Sequence, residues 1–125
     1  MDNALLITDK SITLGIITDL MGSDLVFNYE NDKVLTHSSD TSFLSVIDDG
    51  DELNRDYYDE RELSFIHSKI KSPRTFVLDS NSFELFSILI GSLSNQIEVL
   101  IDNDYGKILS SDEVLSMTSF KELFR

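Results

Sequence analysis

Apolar residues along this 125-residue chain alternate between two spacings, one near 3.6 and one near 2, and the switches mark the elements. Ala4-Leu5-Leu6-Ile7-Thr8 reads as a short first strand or the lead into a helix. From Ser11 to Met21 the apolar positions Ile12, Ile16 and Leu20, with Ile17 and Met21 beside them, predict a helix that Gly22 ends; Gly15 inside it works against the helix. Leu25 to Tyr29 and Lys33 to Thr36 flank Glu30-Asn31-Asp32, the pattern of a β-hairpin with a three-residue turn. Ser42 to Ile47 predicts a third strand, closed by Asp48-Asp49-Gly50. Glu60 to Ile70 carries Leu63, Ile66 and Ile70 at i, i+3 and i+7, a helix that Ser72-Pro73 stops because the residue before proline avoids the α region.

The last third is the most strongly patterned. Thr75-Phe76-Val77-Leu78 is a β-rich run, and Asn81 with Glu84 resembles a capping box. Phe83, Leu85, Phe86, Ile88, Leu89, Ile90 and Leu93 then predict a helix that is apolar on most faces and largely buried. Ile97 to Ile101 predicts a strand with Ile97, Val99 and Ile101 on one side. The segment Asp79 to Gln96 is long enough for a crossover connection but equally compatible with an antiparallel arrangement. Ser110 with Glu113 opens a short terminal helix carrying Val114, Leu115 and Met117. With no repeats and one proline, nothing marks a linker, and residues 1–125 are read as a single domain. The fold class is α+β: one mostly antiparallel or mixed sheet of about five strands, with three to four helices packed on it.

Charge changes the picture more than composition does. Ten Lys and Arg stand against 23 Asp and Glu, a formal net charge of −13, and 41% hydrophobic residues are enough for a globular core. Residues 1–60 hold 14 acids and 3 bases, whereas residues 61–125 hold 9 and 7. Such a surface repels nucleic acid and anionic lipid, so neither is expected as a direct partner; the charge suits a basic partner, or simply solubility. No apolar run reaches the roughly 18 residues of a membrane span. Met1-Asp2-Asn3-Ala4 has no basic n-region, so no signal peptide is expected. The absence of cysteine excludes disulfides and thiolate chemistry and is consistent with the cytoplasm.

The densest charge lies in Asp48 to Glu62, where eight acids meet Arg55 and Arg61 in 15 residues. A solvated face is the ordinary explanation of such a run. Tyr57 and Tyr58 inside it raise a second one: rigid rings among carboxylates suit a basic protein surface. The candidate anchors are therefore Tyr57 and Tyr58. The candidate charge partners are Asp48, Asp49, Asp51, Glu52, Asp56 and Asp59, with Asp102 and Asp104 as a weaker second patch.

Candidate chemistry is thin. His67 borders the apolar stripe of its helix and His37 follows a strand end; without cysteine or an H-x-x-x-H spacing they make no zinc site. No nucleophile elbow, P-loop or dinucleotide glycine pattern occurs. Asp102, Asp104 and Glu113 fit positions 1, 3 and 12 of an EF-hand loop, but Gly106 and Lys107 stand at positions 5 and 6, so a turn is the better reading. Among 23 acids, paired carboxylates arise by chance; no catalytic residue, metal or cofactor is expected, and the chain is not read as an enzyme.

One stretch resembles a known family. Tyr57-Tyr58-Asp59-Glu60-Arg61, Phe65-Ile66, Ser72 to Asp79, Phe83-Glu84-Leu85, and above all Val99 to Leu109 (VLIDNDYGKIL) with Asp112-Glu113-Val114 are similar to bacterial immunity proteins that accompany polymorphic toxins, including those of contact-dependent growth inhibition. The resemblance spans residues 57–115; residues 1–56 are unmatched. It implies a small cytoplasmic protein that binds a cognate toxin domain, without catalysis or cofactor. Such toxin domains are often nucleases with basic clefts, which an acidic partner can fill. The resemblance transfers no binding residues. Two other readings stand beside it: an acidic nucleic-acid mimic that occupies a DNA-binding host protein, as phage inhibitors do, and a small enzyme or metal-dependent domain built on an acidic cluster.

Overall fold

Seven strands form one antiparallel sheet in the computed structural model, which describes residues 3–125. Met1 and Asp2, half of the segment on which the leader reading rests, lie outside the described residues. The strands are β1 Ala4–Asp9, β2 Asn28–Glu30, β3 Lys33–His37, β4 Phe43–Asp48, β5 Pro73–Ser80, β6 Leu100–Asp102 and β7 Ile108–Ser110. Their order across the sheet is β2-β3-β4-β5-β1-β6-β7. The helices are α1 Leu14–Met21, α2 Glu60–Lys69, α3 Phe83–Ser94, α4 Ser111–Leu115 and α5 Phe120–Leu123, with a 3₁₀ turn at Arg55–Tyr57. Among the described residues, no helix is long and apolar enough to cross a membrane.

β1 is central, paired with β5 and β6, and is covered on both faces, so it reads as an unbroken apolar run rather than an alternating one. Ala4 and Leu6 face the larger core, where Ile17 and Met21 of α1, Leu85, Phe86 and Leu89 of α3, Val114 of α4 and Leu123 of α5 meet Phe76 and Leu78. Ile7 faces the opposite way, onto Leu100, Tyr58, and Ile66 and Ile70 at the end of α2. Because β5 and β6 are both antiparallel to β1, they are parallel to each other, and α3 makes the crossover between them. One register row crosses the whole sheet on the α2 side: Glu30, Lys33, Ile47, Val77, Leu5, Asp102, Ile108.

The α+β class with a single sheet holds, but the sheet has seven strands, not about five, and five helices accompany it rather than three to four. β2, β6 and β7 span three residues each, too short for a period-2 signal. The first hairpin strand is shorter than Leu25–Tyr29: Leu25 turns into the core, and the ladder begins at Asn28. Its turn is two residues, since Glu30 pairs with Lys33, and Asn31 takes the positive φ of 55° that asparagine tolerates. The cap of α3 is Ser82, not Asn81, and its side chain accepts from the Leu85 N–H. Asn81 instead bridges strands: its Oδ1 accepts from the Phe43 N–H at 2.8 Å and its amide donates to the Thr41 carbonyl. The capping box Ser110/Glu113 is complete, and so is a second, Asp59/Glu62, at α2.

Candidate partner-binding site

α2 covers only part of its side of the sheet, and a concavity of about 250 Å³ opens beside it. Strands β1 and β5 contribute Leu5, Thr75 and Val77. After β4 the chain turns at Gly50, whose φ of 105° suits glycine and whose N–H donates to Asp48 Oδ1 at 2.9 Å. It then reaches the 3₁₀ turn, where the Asn54 carboxamide oxygen accepts from the Asp56 N–H at 3.1 Å. This path lays Asn54, Tyr57 and Tyr58 along the concavity.

The acidic members come from two places far apart in sequence. Asp49 follows β4, and its Oδ2 accepts from the Thr75 hydroxyl at 3.1 Å. Asp104 lies in the β6–β7 turn and accepts from the Tyr57 hydroxyl. That turn is self-organised: Asp102 Oδ1 accepts from the Asp104 N–H, and Asn103 Oδ1 accepts from the N–H groups of Tyr105 and Lys107. Asp104 and Gly106 hold positive φ of 63° and 89°. Asn103 is fully buried and its amide donates to the Leu123 carbonyl at 2.9 Å, tying the turn to α5.

The sequence-derived candidates therefore divide. Asp49, Tyr57 and Asp104 come together at the concavity, and Tyr57 is 48% exposed. Asp56 and Asp59 are exposed nearby in sequence, Asp59 being spent on the α2 cap. Asp51 and Glu52 lie at a separate depression with Lys10, Arg55 and Lys71, where their charge is locally offset.

Three candidates are not free surface groups. Tyr58 is 7% exposed, a core residue rather than a surface anchor, because its ring packs on Ile7, Ile66 and Leu100. Asp102 is 4% exposed, held between Leu5 and Ile108 in the register row. Asp48 is paired with Arg74 on the larger-core side of the sheet. Burial pushes its carboxyl upward, but hydrogen bonds from the Gly50 N–H and the Arg74 guanidinium outweigh that and hold it below the usual carboxylate range.

Tyr57 and Tyr58 meet edge to face, ring centroids 5.0 Å apart. The Tyr58 hydroxyl is buried beside the Asp102 carboxylate without a hydrogen bond of good geometry. Burial first, then the negative charge of Asp102 and the hydroxyl's contact with that carboxylate, then the charges of Glu62 and Asp49, push its pKa far above that of a free phenol. Among the described residues the ion pairs are Lys33–Glu30 and Arg74–Asp48, so neither Asp49 nor Asp104 is matched by a cation there.

Sequence reading missed Asn54, Thr75, Leu5 and Val77 as site residues. Asn54 carried a signal, an Asx residue two before the N–H it caps. Thr75 was the polar position of the β-rich run Thr75-Phe76-Val77-Leu78. Compared with known proteins, the chain matches no family model, no curated protein and no solved structure.

Proposed function

We propose that this chain is a cytoplasmic immunity protein of the polymorphic-toxin kind, binding and neutralising one basic toxin domain, a nuclease, through its acidic face. The observation that carries the reading is the meeting of Asp49, Asp104 and the half-exposed Tyr57 around a partly apolar concavity, with no cation matched to either carboxylate among the described residues. An aromatic anchor ringed by carboxylates is what a basic surface selects, and a net charge of −13 steers such a partner toward it. The mode of action is occlusion: a carboxylate-rich surface occupies the cleft in which a nuclease holds phosphates. No catalytic step and no cofactor are part of the proposal.

Co-purification of the tagged chain from the bacterium that encodes it, with mass spectrometry of what stays bound, tests this. The expected companion is the C-terminal domain of a large secreted protein, whose nuclease activity the chain suppresses in a titration near one to one. Capture of a host DNA-binding enzyme instead would make the chain a nucleic-acid mimic. Retention of nothing basic at low salt would remove the partner reading.

A further inference from the structure

We propose that the outer edge of β7 takes up one extended, basic segment of the partner as an eighth strand, seating an apolar side chain between Phe65 and Ile108. The proposal rests on the partner-binding reading and names how the partner's backbone is held. β7 closes one side of the sheet, with β6 on its inner flank. A free edge is a template for another chain. The turn fixes which groups face outward. The Asn103 N–H donates to the Lys107 carbonyl at 3.0 Å, so the ladder starts on a hydrogen-bonded pair. Alternation along an antiparallel ladder then turns the Leu109 backbone toward β6 and those of Ile108 and Ser110 away from the sheet.

Ser110 is already spent. Its N–H donates to Glu113 Oε1 at 3.1 Å in the cap of α4, where the strand ends. That leaves Ile108, whose N–H and carbonyl can exchange two hydrogen bonds with one residue of an incoming strand. The pairing sets the side chains as well. A residue opposite Ile108 shares its face of the sheet, the α2 side. There Phe65, Gly106 and Ile108 line a groove of about 240 Å³ with Arg61 and Glu62. Phe65 is large and apolar yet 39% exposed, and nothing lies within 4 Å of where a Gly106 Cβ would stand. Outward backbone groups, an apolar wall and open space therefore coincide at one residue of the edge.

The rim sets the charge of the segment. Glu62 lines the groove, Asp104 stands in the turn, and Asp112 and Glu113 open α4 directly after the strand, against Arg61 and Lys107. This excess of acid favours Lys or Arg on either side of the apolar residue. A second copy of this chain is a poorer occupant, since each brings a net charge of −13. The edge also adjoins the concavity of Asp49 and Tyr57, because Asp104 lines the concavity and Gly106, two residues on, lines the groove. One partner can reach both.

The test is an NMR titration of the ¹⁵N-labelled full chain with the peptide acetyl-Lys-Thr-Val-Thr-Lys-amide at low salt. Two peptides run in parallel: the same sequence N-methylated at Val, and the one with Glu in place of both Lys. The parent peptide is expected to give saturable shifts centred on Phe65, Gly106 and Ile108 and to slow hydrogen exchange at the Ile108 amide. N-methylation removes the donor to the Ile108 carbonyl and is expected to weaken binding about tenfold. The Glu peptide is expected to bind about threefold more weakly. Phe65→Ser, at an exposed helix position, is expected to weaken the parent peptide about fivefold.

No saturable response at millimolar peptide, equal binding of the N-methylated peptide, or shifts elsewhere with the Ile108 amide unaffected would each overturn the strand site. The wild-type comparison of peptides decides the matter even if Phe65→Ser misfolds. Saturable binding at the edge with no basic protein captured would keep the strand site and remove the immunity reading. A captured toxin domain that leaves Ile108 exchange unchanged, with no peptide response, would do the reverse.

Discussion

Arg74 and Asp48 form an ion pair whose two ends are unequally buried, and that inequality predicts which partner the fold can lose. The Arg74 side chain is 5% exposed and that of Asp48 is 35% exposed. Arg74 also donates to the Ile12 carbonyl at 3.1 Å, lies 4.5 Å above the Phe76 ring, and leaves its Nε unpaired. Asp48→Asn strands a buried cation. An uncompensated buried charge costs about 3–5 kcal/mol, reduced here because the asparagine oxygen still accepts one hydrogen bond, so about 2–4 kcal/mol is expected. Arg74→Met removes the buried charge and the orphan Nε together, fills the slot beside Phe76, and leaves Asp48 able to rehydrate while keeping its Gly50 contact; about 0–2 kcal/mol is expected. Urea unfolding at neutral pH, with slopes unchanged and midpoints compared, reads the difference directly. The double variant closes a cycle whose coupling reports the pair. A costlier Arg74→Met than Asp48→Asn, or a coupling of zero, would show that the unequal burial does not govern the pair.

Further expectations concern pH and the site's supports. Because the Asp48 carboxyl is held low in the fold, its stabilisation is present above the ordinary value of about 4 and is lost as pH falls through the lower native value. Asp48→Asn therefore flattens the acid limb of a stability–pH curve. Tyr58 runs oppositely: its native pKa is raised, so stability is full below about pH 10 and declines above it as the unfolded phenol ionises. Tyr58→Phe removes that alkaline decline at a cost below about 1 kcal/mol, since no well-made hydrogen bond is lost; thermal melts at pH 8 and 10.5 measure both. Asn103→Asp deletes the donor to Leu123 and buries a charge, with an expected loss of about 2–4 kcal/mol by urea unfolding.

Much of the fold was legible because its signals are local. The α3 stripe, the Ser110/Glu113 box and the β5 run needed nothing beyond their neighbours in sequence. Three-residue strands such as β7 were not legible, because pairing with β6 makes them strands and no internal pattern does. Asn81 mimicked a cap, but its tertiary contacts to Thr41 and Phe43 took its side chain away and left the role to Ser82. The site was half legible. Acid density singled out Asp49 and Tyr57, and the Asp102–Gly106 turn singled out Asp104, but their meeting depends on sheet order, which puts β6 next to β1. Adjacent Tyr57 and Tyr58 look alike in sequence; the turn exposes one and buries the other in the α2 core. Nothing local distinguishes Asp48, matched by Arg74 26 residues away, from its neighbour Asp49.

If an acidic, tyrosine-centred face captures a basic protein domain, the association rate constant with the captured toxin domain, measured by stopped flow, depends on salt. Charges steering an encounter are screened beyond about 8–10 Å at physiological ionic strength. The rate is therefore expected to fall about tenfold or more between low and high salt, with Tyr57→Ala raising the dissociation rate at every salt concentration. A rate independent of salt, with dissociation unchanged in Tyr57→Ala, would rule out electrostatic capture through this face.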